Sequence, residues 1–188
     1  MKEHTLTKGS VGRGILLFVL PIIVGSLIQQ LYVTIDAIIV GQFTGTLGLA
    51  AIDSVHTLFK FPLNFMNGLA TGATIMISSH CGSGDEEQMH CSIRTACTVA
   101  VLLGIVCSIG GVLLTPWMLH VMSVPEEVYG RAAAYTMIYF GGIWSMVLYN
   151  MAAGILRAYG DSRRPLYVLI CCAVINILGD LLLVGVLE

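Results

Sequence analysis

The amino-acid sequence predicts an all-α membrane protein, a polytopic bundle of five transmembrane helices. The first ground is composition. Of 188 residues 56% are hydrophobic and only 11% charged, against about 25% charged in soluble domains. Mean hydropathy is +0.88, more apolar surface than a soluble core of this length can hide but of a kind lipid accepts. The second ground is placement: the charges fall in short clusters between long uncharged runs. The third is that lysine and arginine crowd onto alternate connections, the bias that orients membrane helices.

Residues 1–13 are polar and mildly basic, and read as a cytoplasmic N-terminal segment. The apolar run behind them is too long for a signal-peptide core and lacks a small-residue cleavage site, so the first helix is expected to stay attached. That helix covers 14–41. At 1.5 Å per residue its roughly 28 residues make about 42 Å, more than a ~30 Å hydrocarbon core, so it should tilt or bend, with Pro21 the natural place. A glycine-bearing link, 42–48, leads to the second helix at 49–81, charge-free from 61 onward and expected to bend at Pro62. Cys81, Gly82, Ser83, Gly84 and Asp85 break it. The third helix, 87–119, begins with a polar interfacial turn in which Asp85, Glu86 and Glu87 favour the helix N-terminus by charge. Pro116 and Pro125 mark its end. The fourth spans 127–156. A turn then carries Arg157, Gly160, Asp161, Ser162, Arg163, Arg164 and Pro165, and Asp161–Ser162 ahead of the proline has the form of a helix start. The fifth helix, 165–187, holds one charge, Asp180.

Seven of the nine basic residues (Lys2, Lys8, Arg13, Arg94, Arg157, Arg163 and Arg164) fall on one side when the N-terminus is placed in the cytoplasm. Only Lys60 and Arg131 fall elsewhere, and an odd number of crossings puts Glu188 outside. Lys60, near Pro62, reads as snorkelling to the outer interface. A net charge of −2 gives no basic excess for nucleic acid. The six cysteines lie mostly in apolar stretches and read as small hydrophobes, with no disulfide framework. Short connections leave no room for a catalytic domain, and no His, Ser or Cys constellation has catalytic spacing; the chain is read as no enzyme and as using no cofactor. His80–Cys81 and His90–Cys91 repeat across one turn, but at no standard zinc spacing, and no metal site is expected. The nine methionines read as helix filler. Gly141–Gly142, Gly68 with Gly72, and Gly104 with Gly110–Gly111 read as small-residue packing contacts.

Ionisable residues inside spans are costly, and two stand out: Asp36 in the first helix and Asp180 in the fifth. Neither has a basic neighbour within a turn. Carboxylates so placed hold a proton or a cation, or hydrogen-bond a neighbour for structure. Gln29, Tyr32 and Asp36, at i, i+3 and i+7, share one helical face, as do Asn176 and Asp180 at i and i+4. If the two faces meet, hard oxygens converge that suit Na⁺, and the carboxylates alone could carry H⁺.

With these residues in view, the chain resembles the multidrug and toxic compound extrusion (MATE) family. Leu20–Pro21, Gln29, Tyr32, Asp36 and Val40–Gly41 resemble that family's first helix. The most specific stretch, 154–165 (GILRAYGDSRRP), resembles its cytoplasmic turn between helices four and five, and 82–85 fits the turn after helix two. The resemblance runs in order along essentially the whole chain. It implies twelve helices in two six-helix lobes, of which 14–188 would be a partial N-lobe, and a cation-coupled antiporter in the cytoplasmic membrane exporting organic cations and drugs against H⁺ or Na⁺. By resemblance Asp36, Asn176 and Asp180 match the family's N-lobe cation site, Gln29 and Tyr32 the polar face beside it, and Asn150 on helix four a further cavity residue; Tyr135 or Tyr139 is a possible addition. The departure is length. Helix six, which would add a hydroxyl ligand, and the C-terminal lobe, needed to alternate access, are missing from the 188 residues. Two other readings stand beside the exporter. A lipid-linked oligosaccharide flippase of the same superfamily would be expected to line its cavity with cations, where this chain has acids. A non-transporting membrane fragment is the reading the missing lobe favours.

Overall fold

The computed structural model describes residues 11–43 and 45–185, with side chains described for 12–35, 38, 55, 58–179 and 182. Among the described residues the chain forms five α-helices and no strand: α1 (Val11–Phe43), α2 (Gly45–Ser83), α3 (Glu86–Val121), α4 (Glu126–Ala158) and α5 (Arg163–Gly185). α1 and α2 run through Pro21 and Pro62 without interruption, and α3 through Pro116. A proline forfeits one backbone hydrogen bond, a loss that long flanking helices absorb. The expected link at 42–48 is helical wherever it is described, α1 reaching Phe43 and α2 starting at Gly45.

The helix ends have identifiable chemistry. Gly84 (φ 74°) closes α2, with Asp85 N–H donating to the His80 carbonyl at 3.1 Å and Gly84 N–H to that of Cys81 at 3.4 Å, the paired bonds of a left-handed C-terminal cap. Gly160 (φ 80°) closes α4 the same way, through Asp161 N–H to Leu156 O at 3.0 Å and Gly160 N–H to Arg157 O at 2.9 Å. At the end of α3 the left-handed position falls to Ser123 (φ 54°). Asp85 then opens α3, its carboxylate accepting from Gln88 N–H at 3.0 Å, with Glu86 and Glu87 in the first turn against the positive end of the helix dipole.

The chain divides into two compact units. One comprises 1–43 and 156–188, and in it α1 and α5 pack along each other. The other comprises 44–155 and has its own apolar core: Val55 and Phe59 of α2, Leu119 of α3, and Val128, Ala132, Phe140 and Ile143 of α4. Phe59 stacks on Tyr139 (centroids 3.8 Å apart, planes 22°) and meets Phe140 edge-on (5.5 Å, 70°). Burying a side chain of this kind stabilises by about 1.5–3 kcal/mol, and the ring geometry adds to it. α3 meets α4 where Gly104 lies against the Trp144 backbone, Gly111 against the Phe140 ring, and the Ser108 hydroxyl donates to Gly141 O at 3.3 Å. α2 meets α4 at Gly154, where an added Cβ would lie 2.6 Å from Thr74 Oγ1 and 3.3 Å from Ala70 O. Gly104 and Gly111 thus make close contacts, as their spacing suggested, whereas Cβ atoms at Gly68, Gly72, Gly110, Gly141 and Gly142 would meet open space. Gly154, not singled out by sequence as a packing residue, is a close approach of α2 and α4.

Outward faces are apolar. Phe61 is 80% exposed, Ile138 78% and Leu113 73%, a surface water does not tolerate at this density and lipid does. Among the described residues, 12–35 in α1 and the whole of α3 and α4 have the length and apolarity of a membrane crossing. α2 is longer than any of them but is diluted by polar residues along one side.

Candidate functional site

The expected cation-binding residues lie on α1 and α5, the two helices that pack together in one unit. The contact is set by Gly25, which is buried; a Cβ there would touch the Leu169 and Leu166 side chains at 3.4 and 3.6 Å. From that contact the two sequences step in parallel. On α1 the series Gly25, Gln29, Tyr32, Asp36 advances by four, three and four residues, and on α5 Leu169, Ala173, Asn176, Asp180 advances identically. Such steps hold to one face of a helix.

Gln29 is exposed, Tyr32 half-buried, Asn176 exposed and Ala173 buried. The side chains of Asp36 and Asp180 lie outside the described residues. Asn150 is in the other unit, half-buried on α4, and its amide donates to Met146 O of its own helix at 3.0 Å. Tyr135 and Tyr139 pack with Phe59, at ring centroids of 5.9 and 3.8 Å; both belong to the rim of the apolar core of that unit. Among the described residues no three His, Cys, Asp or Glu side chains gather as metal ligands, the His80–Cys81 and His90–Cys91 turn included.

The turn before α5 is built by one side chain. Asp161 Oδ1 accepts from the Arg163 and Arg164 backbone N–H groups, both at 3.1 Å, and Oδ2 pairs with Arg164 Nε at 3.1 Å. Ser162, read from sequence as sharing the cap, is buried instead. This turn fixes the start of α5, and with it the register of the polar face eleven residues past the Leu169 contact.

The MatE family model matches residues 21–182. This chain belongs to the MatE family. The MatE chain is 33% identical over 171 residues to the probable multidrug resistance protein YoeA of Bacillus subtilis (strain 168), covering 91% of this chain and 37% of that protein. It is 25% identical over 186 residues to the FAD transporter of Shewanella oneidensis, covering 98% and 41%. In fold it matches a solved MOP superfamily transporter from Pyrococcus furiosus with a TM-score of 0.90 at 24% identity, over all of this chain and 41% of that one. The MatE chain therefore spans about two fifths of the length of these relatives, as part of an N-lobe does. With this fold, it is a multi-pass helical membrane protein of a transporter family rather than of an enzyme family.

One feature escaped the sequence reading. Lys60, Asn64, Asn67 and Thr71 on α2 repeat the same four-three-four step. All four are exposed.

Proposed function

We propose that this chain supplies the N-lobe cation site of a drug exporter of the cytoplasmic membrane, with Asp36, Asn176 and Asp180 as coupling residues, Gln29 and Tyr32 beside them, and Asn150 on the substrate path. The observation that carries the reading is the matched spacing from the Gly25–Leu169 contact on two helices that pack together. Carboxylates within lipid are stable only with a proton, a cation or a water-lined pocket. Two at one level create a site in which a small coupling ion, H⁺ or Na⁺, and a large organic cation compete. Ionised, the pair attracts the drug; occupied by the coupling ion, it releases it. Such competition biases an inward–outward equilibrium only through unequal affinity for the two states. The motion itself requires the C-terminal lobe, and the N-terminus lies in the cytoplasm.

The test is ethidium efflux from cells expressing the complete transporter that contains this chain. Asp36→Asn keeps size and hydrogen bonding while removing the titratable charge, so efflux should fall at least about tenfold, the equivalent of ~1.4 kcal/mol of coupling, with unchanged amounts in the membrane. Efflux at the parental rate would refute the assignment.

A further inference from the structure

α5 has a second face besides the one that meets α1. Leu166 and Leu169 lie against Gly25 of α1, and Ala173, one turn on, is buried. Away from that side run Arg163, Tyr167, Ile170, Val174 and Leu178, all exposed. Their steps of four, three, four and four residues hold them within an arc of about 80° at about 100° per residue. The chemistry changes in order along this stripe: a guanidinium, a phenol, then three aliphatic side chains. From Tyr167 to Leu178 it runs about 16 Å, close to half of the ~30 Å hydrocarbon core. The charge at its head is not neutralised. The turn 157–164 holds three arginines and one acid. That acid, Asp161, is engaged by the Arg163 and Arg164 backbone N–H groups and by Nε of Arg164. The guanidinium groups of Arg163 and of Arg157, in the last turn of α4, pair with no carboxylate among the described residues. Tyr159 and Tyr167 are exposed beside them, and tyrosine rings settle at the level of lipid headgroups. Orienting a span needs only charge in the connection; it does not require cation, ring and aliphatic side chains in register on one exposed face.

We infer that this face of α5 binds an anionic phospholipid, its phosphate on the guanidinium groups of Arg163 and Arg157 and one acyl chain along Tyr167, Ile170, Val174 and Leu178. A guanidinium presents a planar fork that matches two phosphate oxygens, and basic groups at the start of a span favour anionic headgroups. A free phosphate ion uses the cations but none of the four side chains below them. A helix packed on the same face uses the apolar side chains but leaves Arg163 without a counter-charge. A phosphatidylcholine headgroup brings a cation of its own toward the arginines, so the site discriminates against it. The inference goes beyond the exporter reading and does not rest on it: α5 must be embedded, but Asp36 and Asp180 need carry no ion.

The test uses the full chain in phosphatidylcholine bilayers. Trp117→Phe and Trp144→Phe remove its two tryptophans, and Tyr167→Trp places a single reporter on the stripe. Brominated lipid quenches a tryptophan it touches. Brominated phosphatidylglycerol at low mole fraction should occupy the site at least about fivefold more readily than brominated phosphatidylcholine, the advantage expected of one arginine near the surface. Arg163→Gln should remove most of that preference, and Arg131→Gln, in the other unit, should leave it unchanged. Raising salt from about 0.1 M to about 1 M shortens the screening length from about 10 Å to about 3 Å and should weaken the preference in the reporter chain itself, which keeps the test standing where Arg163→Gln does not insert. Four outcomes would each overturn the inference. Quenching by neither lipid means that protein covers the face. Equal quenching by both means unselective contact. A preference that survives Arg163→Gln comes from elsewhere, and one abolished by excess sn-glycerol 3-phosphate belongs to a site for a soluble phosphate. Efflux insensitive to Asp36→Asn would remove the exporter reading and leave the lipid preference untouched.

Discussion

Gly154 stands where α4 crosses α2, against Thr74 Oγ1 and the Ala70 carbonyl. A methyl group there has no free space: Thr74 is β-branched and its hydroxyl is engaged with Ala70 O at 2.7 Å, so the rotamer that would make room gives up that bond. Overpacking of this kind costs about 1–3 kcal/mol. Gly154→Ala should therefore lower the midpoint of detergent-induced unfolding, and Thr74→Ala in the same chain should restore most of the loss by removing the atom nearest the clash. A double variant no better than Gly154→Ala would place the strain in the Ala70 backbone instead. The same residue shows what the sequence conveys and what it hides. Gly154 was legible as part of the stretch 154–165, but not as a packing glycine, because its partner lies some 80 residues away on α2. Conversely, Gly68 with Gly72 has the familiar small-residue spacing yet makes no close approach: spacing gives a permissive face, and only the neighbouring helix decides whether it is used.

At the scale of the element, the five helices were legible because apolar runs longer than 20 residues leave few alternatives. Their ends were less so. The link placed at 42–48 on the strength of its glycines is helical where described, since a glycine within a long apolar helix costs only about 1 kcal/mol against alanine. The turn into α5 was legible in composition, yet its work falls on Asp161 alone and not on the Asp161–Ser162 pair. That division yields a prediction. Asp161→Ala removes the acceptor of two backbone N–H groups and should destabilise by about 1 kcal/mol. Asp161→Asn keeps an amide oxygen for both and loses only the pair with Arg164, whose side chain is 63% exposed, an interaction worth at most about 1 kcal/mol and often nothing. Thermal denaturation in detergent should rank parent and Asn variant close together with the Ala variant below. An Asn variant as poor as Ala would make the ion pair, not the cap, the stabilising contact. The candidate residues Asp36 and Asp180 stand out in the sequence because nothing around them is charged; their side chains lie outside the described residues. The α2 stripe does not stand out, because amides and hydroxyls do not interrupt an apolar run as a carboxylate does.

For the whole molecule, the number of bilayer crossings is written in the sides on which its connections fall. Among the described residues α1, α3 and α4 are apolar enough by length and composition, α5 at 23 residues is long enough to cross, and α2 is diluted by its polar stripe. Three crossings and five both leave Glu188 opposite Met1, so locating the two termini cannot separate them; the connections can. If α2 crosses, the turn at Gly84 lies on the same side as Met1, the turn at Val124 on the other, and the turn at Tyr159 back with Met1. If α2 instead lies along the surface, Gly84 and Tyr159 both lie opposite Met1 and Val124 shares its side. The basic residues favour the first arrangement, because Arg94 beyond the first turn and Arg157, Arg163 and Arg164 around the last would then share the cytoplasmic face with Lys2, Lys8 and Arg13. Single cysteines introduced as Ser83→Cys, Ser123→Cys and Tyr159→Cys in a chain otherwise free of cysteine, labelled with an impermeant maleimide in intact cells and again after permeabilisation, read the sides directly. Five crossings with the N-terminus inside require label at 123 in intact cells, and at 83 and 159 only after permeabilisation. Labelling of 83 in intact cells would mean that α2 does not span.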